Sequence, residues 1–314
     1  MSAISSLVGF DDLESKIENA FKTSKLHHAN LIYGKRGVGK ALFAKKLVTK
    51  FLDLQINNFD DLIKLNSHPD FLLIQKQDKA QITVDQIRQI KIFNSQTSGS
   101  SKYKFIIIDA ACELNQKSAN ALLKTLEEPN NNSFLFLVCH NLGAVLPTIK
   151  SRCQLISAPN FSLNQFQKIV NSKDNSFSDL DISFLSRICD NSPAKALEIG
   201  EDLIKNYNLL IDSLKEKAIK PELLKNITAK NFDFYIISLI LNFVMINMVK
   251  ISANASLADF GRDLDVMHKI ISKKKDLGQF INDIEEAISL INQSSHLHME
   301  KKLTVINVFN KLCY

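Results

Sequence analysis

Short apolar runs alternate with segments of helical periodicity along the first half of the chain. Helical spacing of residues such as Leu13, Ile17 and Phe21 indicates amphipathic helices. The apolar runs are rich in β-branched and aromatic residues and predict five strands, at residues 31–33, 71–74, 104–108, 134–139 and 154–157. Helices are predicted between them, including residues 39–54 and 117–128. Because strands and helices alternate, we predict a three-layer α/β domain with a parallel sheet and helices on both faces.

Beyond Pro159 the pattern changes to helices alone. Residues 161–201 have the apolar spacing of a small helical unit, and from Leu203 onward no run predicts a strand. Long helical stretches centred near residues 210, 240, 270, 285 and 305 indicate an all-α bundle. We therefore predict three domains: an α/β domain, a small helical domain and a larger helical domain, at residues 1–158, 159–203 and 204–314.

One segment of the larger helical domain is apolar enough to suggest a membrane span. Residues 234–249, FYIISLILNFVMINMV, carry no charge. However, the segment is only 16 residues long and contains Ser238, Asn242 and Asn247. That length is below the usual spanning length, so we predict a helix buried on all sides within a bundle.

Composition and charge are those of an ordinary soluble globular protein. The 314 residues are 45% hydrophobic and 23% charged, with a net charge of +6. Residues 1–158 hold the excess, with 20 basic against 14 acidic residues, which permits contact with nucleic acid without requiring it. The five cysteines are scattered and form no C-x-x-C pair, which predicts no zinc or redox motif and favours a reducing cytoplasm.

The segment LIYGKRGVGKAL, at residues 31–42, has the pattern of a phosphate-binding loop between a strand and a helix. Gly34, Gly37, Gly39 and Lys40 fit the pattern G-x-x-x-x-G-K-[ST]. The last position is Ala41, whose methyl group cannot coordinate Mg²⁺. We predict a degenerate loop that keeps the phosphate cradle and has lost its magnesium ligand, and a solvated Lys40 at a helix start is the simpler alternative.

Asp109 follows the apolar run at residues 104–108 and therefore belongs at the end of a buried strand. P-loop enzymes use such an acid to hold Mg²⁺, commonly with a neighbouring Glu that activates water. The neighbour here is Ala110. Asp109 could equally accept backbone hydrogen bonds at the end of the strand.

Several motifs together resemble the bacterial DNA polymerase III clamp-loader family, within the AAA+ group. They are HHA at 27–29 with the loop at 34–40, HPD at 68–70, ITVDQIR at 82–88, SANALLKTLEEP at 118–129, LPTI at 146–149 and SRC at 151–153. The loop motif alone is weak evidence, but ALLKTLEEP followed by LPTIKSRC is specific. The resemblance covers roughly residues 25–200. It implies an AAA+ P-loop domain, a small helical lid and a C-terminal all-α collar domain that assembles with other subunits.

Departures from the family pattern imply which kind of subunit this is. The ATPase subunits have a hydroxyl residue in place of Ala41 and an acid in place of Ala110, so the chain resembles the non-hydrolysing member. Many relatives have a zinc-binding cysteine cluster after the loop helix, but residues 51–70 contain no cysteine, so zinc is not expected. The segment 192–197 resembles the second sensor motif, with Lys195 where arginine is common. Arg152 of the SRC motif would be an arginine finger that acts in trans on a neighbouring subunit.

The resemblance also implies partners: the gamma/tau-type ATPase subunits, the delta subunit, the sliding clamp and, through the complex, primed DNA. No cofactor, metal or membrane is expected for the chain itself, because ATP is bound by neighbouring subunits of the polymerase holoenzyme. Two alternatives remain open. One is an active ATPase of the same group that tolerates Ala41, and the other is a stand-alone DNA-binding module that uses the basic first domain.

Overall fold

The computed structural model of the protein describes residues 7–54, 65–77, 81–97, 99–174, 176–229, 233–253, 263–296 and 301–313. The chain forms two compact units, Met1–Gln165 and Phe166–Tyr314. The predicted boundary after residue 158 lies seven residues before the observed one. The predicted boundary after residue 203 lies inside the helix Pro193–Glu216. The division of the second unit into lid and collar stays a prediction.

The first unit alternates strands and helices, as predicted. Its strands are β1 (Ala29–Tyr33), β2 (Phe71–Gln75), β3 (Lys104–Asp109), β4 (Ser133–Cys139) and β5 (Gln154–Ser157). Its helices are α1 (Asp11–Lys22), α2 (Lys40–Phe51), α3 (Val84–Ser95), α4 (Gln116–Glu127) and α5 (Pro147–Lys150), and α6 (Leu163–Asn171) begins at its end. A 3₁₀ turn, Ala111–Glu113, follows β3, and another, Leu142–Ala144, follows β4.

The five strands form one parallel sheet in the order β2-β3-β4-β1-β5. Parallel neighbours need crossover connections, which the helices supply. The four residues Phe105 to Ile108 of β3 are completely buried, as expected for a strand covered on both faces. All strands run in one direction, so they begin at one edge of the sheet, here called the amino edge, and end at the other, the carboxyl edge. The predicted α/β fold class is confirmed.

The HPD segment, residues 68–70, directly precedes β2 and stabilises the backbone around it. The Asp70 carboxylate is buried and accepts hydrogen bonds from the backbone N–H groups of Gly99, Ser100 and Ser101, at 2.7, 3.0 and 2.9 Å. Burial opposes ionisation, but these three donors hold the pKa of Asp70 below its usual range. His68 supports the turn by accepting the backbone N–H of Asp70 at 3.1 Å. Asp70 therefore fixes the loop that precedes β3.

The second unit contains only helices in its described part. They are α7 (Asp179–Ile188), α8 (Pro193–Glu216), α9 (Pro221–Thr228), α10 (Phe234–Ser252), α11 (Leu264–Ile271), α12 (Leu277–His296) and α13 (Lys301–Cys313). One apolar core joins residues from Phe166 in α6 to Cys313 in α13. This continuous core explains why helices on both sides of residue 203 belong to one compact unit.

Helix α10 contains the apolar segment. Among the described helices of this core it has the most buried side chains. By length and composition it could span a bilayer, but 61% of its most apolar window is buried inside the protein. Ser238 donates to the carbonyl of Tyr235 at 2.7 Å, whereas Asn242 Oδ1 is buried with no hydrogen-bond partner among the described residues. Most of the helix is buried in the bundle, but not all sides as predicted, because Tyr235 and Ile246 are 48% and 47% exposed.

We expect Leu241→Asp to unfold the second unit, because Leu241 is completely buried in the core of α10. An unpaired carboxylate there should lower the free energy of unfolding by about 4 kcal/mol or more. The matched control is Ile246→Asp on the same helix, where the side chain is 47% exposed and the loss should stay below about 1 kcal/mol. Denaturant unfolding followed by circular dichroism measures both. Equal stability of the two variants would contradict the buried position of α10.

Candidate functional site

The predicted phosphate-binding loop lies at the carboxyl edge of the sheet, between β1 and α2. Its glycines adopt positive φ angles: 151° at Gly34, 79° at Gly37 and 93° at Gly39. A Cβ at Gly34 would lie 3.0 Å from the Cβ of Ala158, and Gly39 is the N-cap of α2. Side chains at these two positions would strain the backbone. The loop therefore has the glycine-dependent conformation that its sequence predicts.

Lys40 is the first residue of α2 and is only 5% exposed. Its ammonium group donates to the carbonyl of Gly34 at 2.8 Å and to that of Lys35. Burial lowers the pKa of Lys40, whereas the negative charges that Cys139 and Asp109 can carry favour the protonated amine. Lys40 is thus a buried cation held by its own loop, which argues against the alternative of a solvated lysine.

Asp109 is the last residue of β3, so its carboxylate lies at the carboxyl edge of the sheet. Its negative charge there favours the protonated form of Lys40. Burial raises the pKa of Asp109, and the positive charges of Lys45 and Lys40 partly oppose that effect. Two predicted site residues, Lys40 and Asp109, therefore lie at the same edge of the sheet, where the charge of each influences the pKa of the other. An acid and a cation beside a helix N-terminus are the parts with which a P-loop binds phosphate and metal.

Two parts of a hydrolytic site are missing from this arrangement. Ala41 is the second residue of α2, directly after Lys40, and offers no hydroxyl oxygen. Ala110 follows Asp109 and is 6% exposed, so its position inside the site is filled by a methyl group. The arrangement can hold an anion against backbone N–H groups, but at these two positions it supplies neither a metal ligand nor a base for water.

Arg152 lies at the other edge of the sheet. It precedes the first residue of β5, and Gln154 pairs with Asn30 near the start of β1. Because the strands are parallel, Arg152 is at the amino edge, whereas Lys40 and Asp109 are at the carboxyl edge. A five-residue strand is roughly 16 Å long. The structure therefore does not bring Arg152 together with the loop of its own chain.

The guanidinium of Arg152 is partly engaged within the chain. It donates to the carbonyl of Thr148 at 3.0 Å and to the hydroxyl of Ser151 at 3.3 Å, and it forms an ion pair with Glu127 at 2.8 Å. The side chains of Arg152 and Glu127 are 37% and 48% exposed. Arg152 is thus oriented by its own chain while remaining accessible from solvent.

Lys195 belongs to the second unit. It is the third residue of α8, where its backbone N–H donates to the N-cap hydroxyl of Ser192 at 3.4 Å. Its ammonium lies over the ring of Tyr235, 4.9 Å from the ring centre. This cation–π contact occupies Lys195 inside its own unit.

Cys112 and His140 also lie at the carboxyl edge, and only the second could be expected there from the sequence. His140 directly follows β4, whereas Cys112 is in the 3₁₀ turn after β3, which has no periodic signal. The Cys112 sulfur is 3.3 Å from His140 Nδ1. Cys112 and the neighbouring Cys139 are close enough to the phosphate-binding loop to influence the pKa of Lys40.

Comparison with known proteins identifies the family. A family model described as DNA polymerase III, delta subunit, matches residues 10–162. A DNA polymerase III subunit delta′ of Pseudomonas aeruginosa is 33% identical over 141 residues, which cover 42% of this chain and 43% of the relative. A subunit delta′ of Buchnera aphidicola subsp. Schizaphis graminum is 34% identical over 243 residues, covering 70% of this chain and 71% of the relative. This chain belongs to the delta′ family.

The family-model match, residues 10–162, lies within the first unit. The matched region covers less than half the length of the Pseudomonas delta′ subunit. A DNA polymerase III gamma subunit-related protein of Thermotoga maritima shares the fold, with a TM-score of 0.50 and 19% identity over 97% of this chain and 98% of that protein. The fold of both units therefore occurs in a solved structure.

We expect Arg152→Ala and Glu127→Ala to change the free energy of unfolding by less than about 1 kcal/mol, since exposed ion pairs contribute little. The matched contrast is Glu14→Ala, which removes the carboxylate paired with Lys46 at 2.7 Å in a buried position. Because Lys46 would be left without this partner, the free energy of unfolding should fall by about 3 kcal/mol or more. Urea unfolding of the three variants tests this order, and a large loss for Arg152→Ala would assign that residue a structural role.

Proposed function

We propose that the chain is a non-hydrolysing subunit of the bacterial DNA polymerase III clamp loader that donates Arg152 to the ATP site of a neighbouring subunit. The proposal rests on two residues: Ala41 directly follows Lys40 and Ala110 directly follows Asp109, where an ATPase of this group would have a hydroxyl residue and an acid. Membership of the delta′ family supports the same role. The chain would act as a fixed part of the loader while ATP is hydrolysed elsewhere in the complex.

The geometry of Arg152 supports action in trans. Phosphoryl transfer places charge on the equatorial oxygens of the γ-phosphate, and a guanidinium stabilises this charge with a fork of N–H donors. Arg152 is at the amino edge of its own sheet, far from its own loop, so a nucleotide that it contacts belongs to another chain. Its hydrogen bonds to Thr148 and Ser151 would fix its direction before contact. The ion pair with Glu127 would be exchanged for the phosphate.

The proposed partners are gamma/tau-type ATPase subunits and the delta subunit, with the helical second unit supplying the oligomerisation surface. The complex would load the sliding clamp onto primed DNA in the cytoplasm. Lys40 and Asp109 are retained charges at the loop, and the proposal assigns them no catalytic step. Lys195 would have no contact with nucleotide while it lies over Tyr235.

The isolated chain should hydrolyse ATP at a negligible rate, because the loss of the magnesium hydroxyl and of the water-activating acid removes stabilisation where charge develops. Phosphate release by the purified protein, with a Lys40→Ala variant as a control for contaminating enzymes, measures this. Turnover of about 1 s⁻¹ or more that disappears in the variant would instead support an active ATPase.

Replacing Arg152 should slow hydrolysis in the assembled complex without preventing assembly. For Arg152→Ala we expect a loss of about 10³-fold at the adjoining site, the lower end of the range for arginine fingers, and poor rescue by Arg152→Lys. The measurement is clamp-dependent, DNA-stimulated ATPase of the complex reconstituted with gamma/tau-type subunits, delta and clamp, with assembly checked by gel filtration.

Arg88→Ala is the matched control for this experiment. Arg88 is another exposed arginine of the first unit, 72% exposed and paired with Asp85 at 3.1 Å. Its loss should leave the ATPase of the complex unchanged. If the Arg152→Ala complex is as fast as wild type, the arginine has no catalytic role. Failure of the wild-type chain to enter the complex would reject the clamp-loader proposal itself.

A further inference from the structure

Three residues at the carboxyl edge form a cluster that the proposed function does not use. This thiol cluster consists of Cys112, Cys139 and His140. The Cys112 sulfur lies 3.3 Å from Nδ1 and 3.6 Å from Nε2 of the His140 ring. The turn that carries Cys112 packs against β4, and Cys139, the last residue of β4, interacts with Cys112. Cys139 is completely buried, whereas Cys112 is half-buried. An attacking sulfur with access to solvent therefore lies beside an element that ends in a second, protected sulfur.

The environment favours a thiolate at Cys112 and a thiol at Cys139. The hydrogen bond from Cys139 lowers the pKa of Cys112 more than burial raises it, and the backbone N–H groups of His140 and Asn141 add to the effect. The same contact and burial raise the pKa of Cys139. Lys40 also faces the pair and favours negative charge on it. Because the thiolate is the nucleophile of cysteine chemistry, Cys112 is the reactive member.

The other cysteines lack such surroundings. Burial raises the pKa of Cys153 to about 12, and burial likewise raises the pKa of Cys189 to about 12. Burial also raises the pKa of Cys313. These thiols stay protonated and unreactive near neutral pH. Among the described residues, no group of three or more His, Cys, Asp or Glu side chains is arranged to hold a metal ion, so the thiol cluster has no metal-site explanation.

We propose that Cys112 is an oxidation site that reacts with hydroperoxides, and that Cys139 resolves the product to an intramolecular disulfide. This inference rests on the geometry of the thiol cluster and is independent of the proposed clamp-loader role. His140 is a positioning residue that holds the Cys112 sulfur. In a reducing cytoplasm such a disulfide is formed transiently, as expected for a redox-sensing pair rather than a structural bridge.

Each step of this reaction is balanced. The Cys112 thiolate attacks one peroxide oxygen, an S–O bond forms, and the O–O bond breaks, so that sulfur is oxidised by two electrons to a sulfenic acid. The other oxygen leaves as hydroxide or alkoxide and takes up a proton. The Cys139 sulfur then attacks the sulfenic sulfur, an S–S bond forms, and the hydroxyl leaves as water with the proton of the Cys139 thiol. Two thiols become one disulfide, and the peroxide is reduced to water or to water and an alcohol.

The test uses the full chain and hydrogen peroxide in the wild type and in the variants Cys112→Ser, Cys139→Ser and Cys153→Ser. Wild type and Cys153→Ser should each lose two titratable thiols, with a Cys112–Cys139 link in the non-reduced peptide map. In Cys139→Ser, dimedone should label Cys112 as a sulfenic acid. In Cys112→Ser, all four thiols should remain. Cys153→Ser is the matched control because Cys153 is also half-buried in the first unit.

The pH profile of alkylation tests the thiolate and the role of His140. Iodoacetamide at pH 6 should modify Cys112 at least about tenfold faster than Cys153. Substituting His140→Asn should move the midpoint of the Cys112 profile upward by about one pH unit, which a purely structural role would not do. This profile reports on the groups that face the sulfur, namely Lys40, Cys139 and His140.

Two results would overturn the proposal. One is equal alkylation rates of Cys112 and Cys153 in the wild type at pH 6. The other is loss of the same number of thiols in Cys112→Ser and wild type at equal peroxide. If Cys139→Ser does not fold, the non-reduced peptide map of the oxidised wild type decides, because a link between any other pair of cysteines contradicts the assignment.

Discussion

The burial of a parallel sheet on both faces constrains where this protein can place polar chemistry. Side chains along the strands must be apolar, so charged and nucleophilic groups are confined to the residues that begin or end a strand. At the carboxyl edge this brings together Lys40 after β1, Asp109 at the end of β3 and Cys139 at the end of β4. Arg152 precedes β5 and is therefore excluded from that edge. The direction of the strands alone thus places Lys40, Asp109 and Cys139 at one edge of the sheet and Arg152 at the other.

The sequence predicted β1 to β4 well because each contains a continuous apolar run, which is the local signal of a strand covered on both faces. The edge strand β5, Gln154–Ser157, has a weaker signal because three of its four residues are exposed. The sequence also predicted the loop conformation, since Gly34 and Gly39 have φ angles that side chains rarely adopt. The order β2-β3-β4-β1-β5 could not be predicted, because pairing joins residues far apart in the chain. For the same reason the contact between Cys112 and His140, separated by 28 residues, was missed.

The second unit shows a different limit of prediction. Helical periodicity located its helices. The division at residue 203 stays a prediction, because it depends on which helices share a core, and periodicity carries no such information. Helix α8 runs from Pro193 to Glu216 without a break, and Leu203 and Leu210 contribute to one continuous cluster. The contact of Lys195 with Tyr235 likewise joins residues 40 positions apart, and its motif alone does not predict it.

The ion pair between Arg152 and Glu127 is weak enough to be exchanged, as the proposed arginine finger requires. An arginine with no local partner would lose much side-chain entropy when it bound a phosphate. An arginine held in a buried ion pair would need a large free energy to break that pair. Arg152 lies between these limits: its pair with Glu127 is about half exposed, and such pairs contribute at most about 1 kcal/mol. The hydrogen bonds to Thr148 and Ser151 meanwhile restrict its conformation. A phosphate of higher charge than one carboxylate would therefore displace Glu127 at little cost and find the guanidinium already oriented.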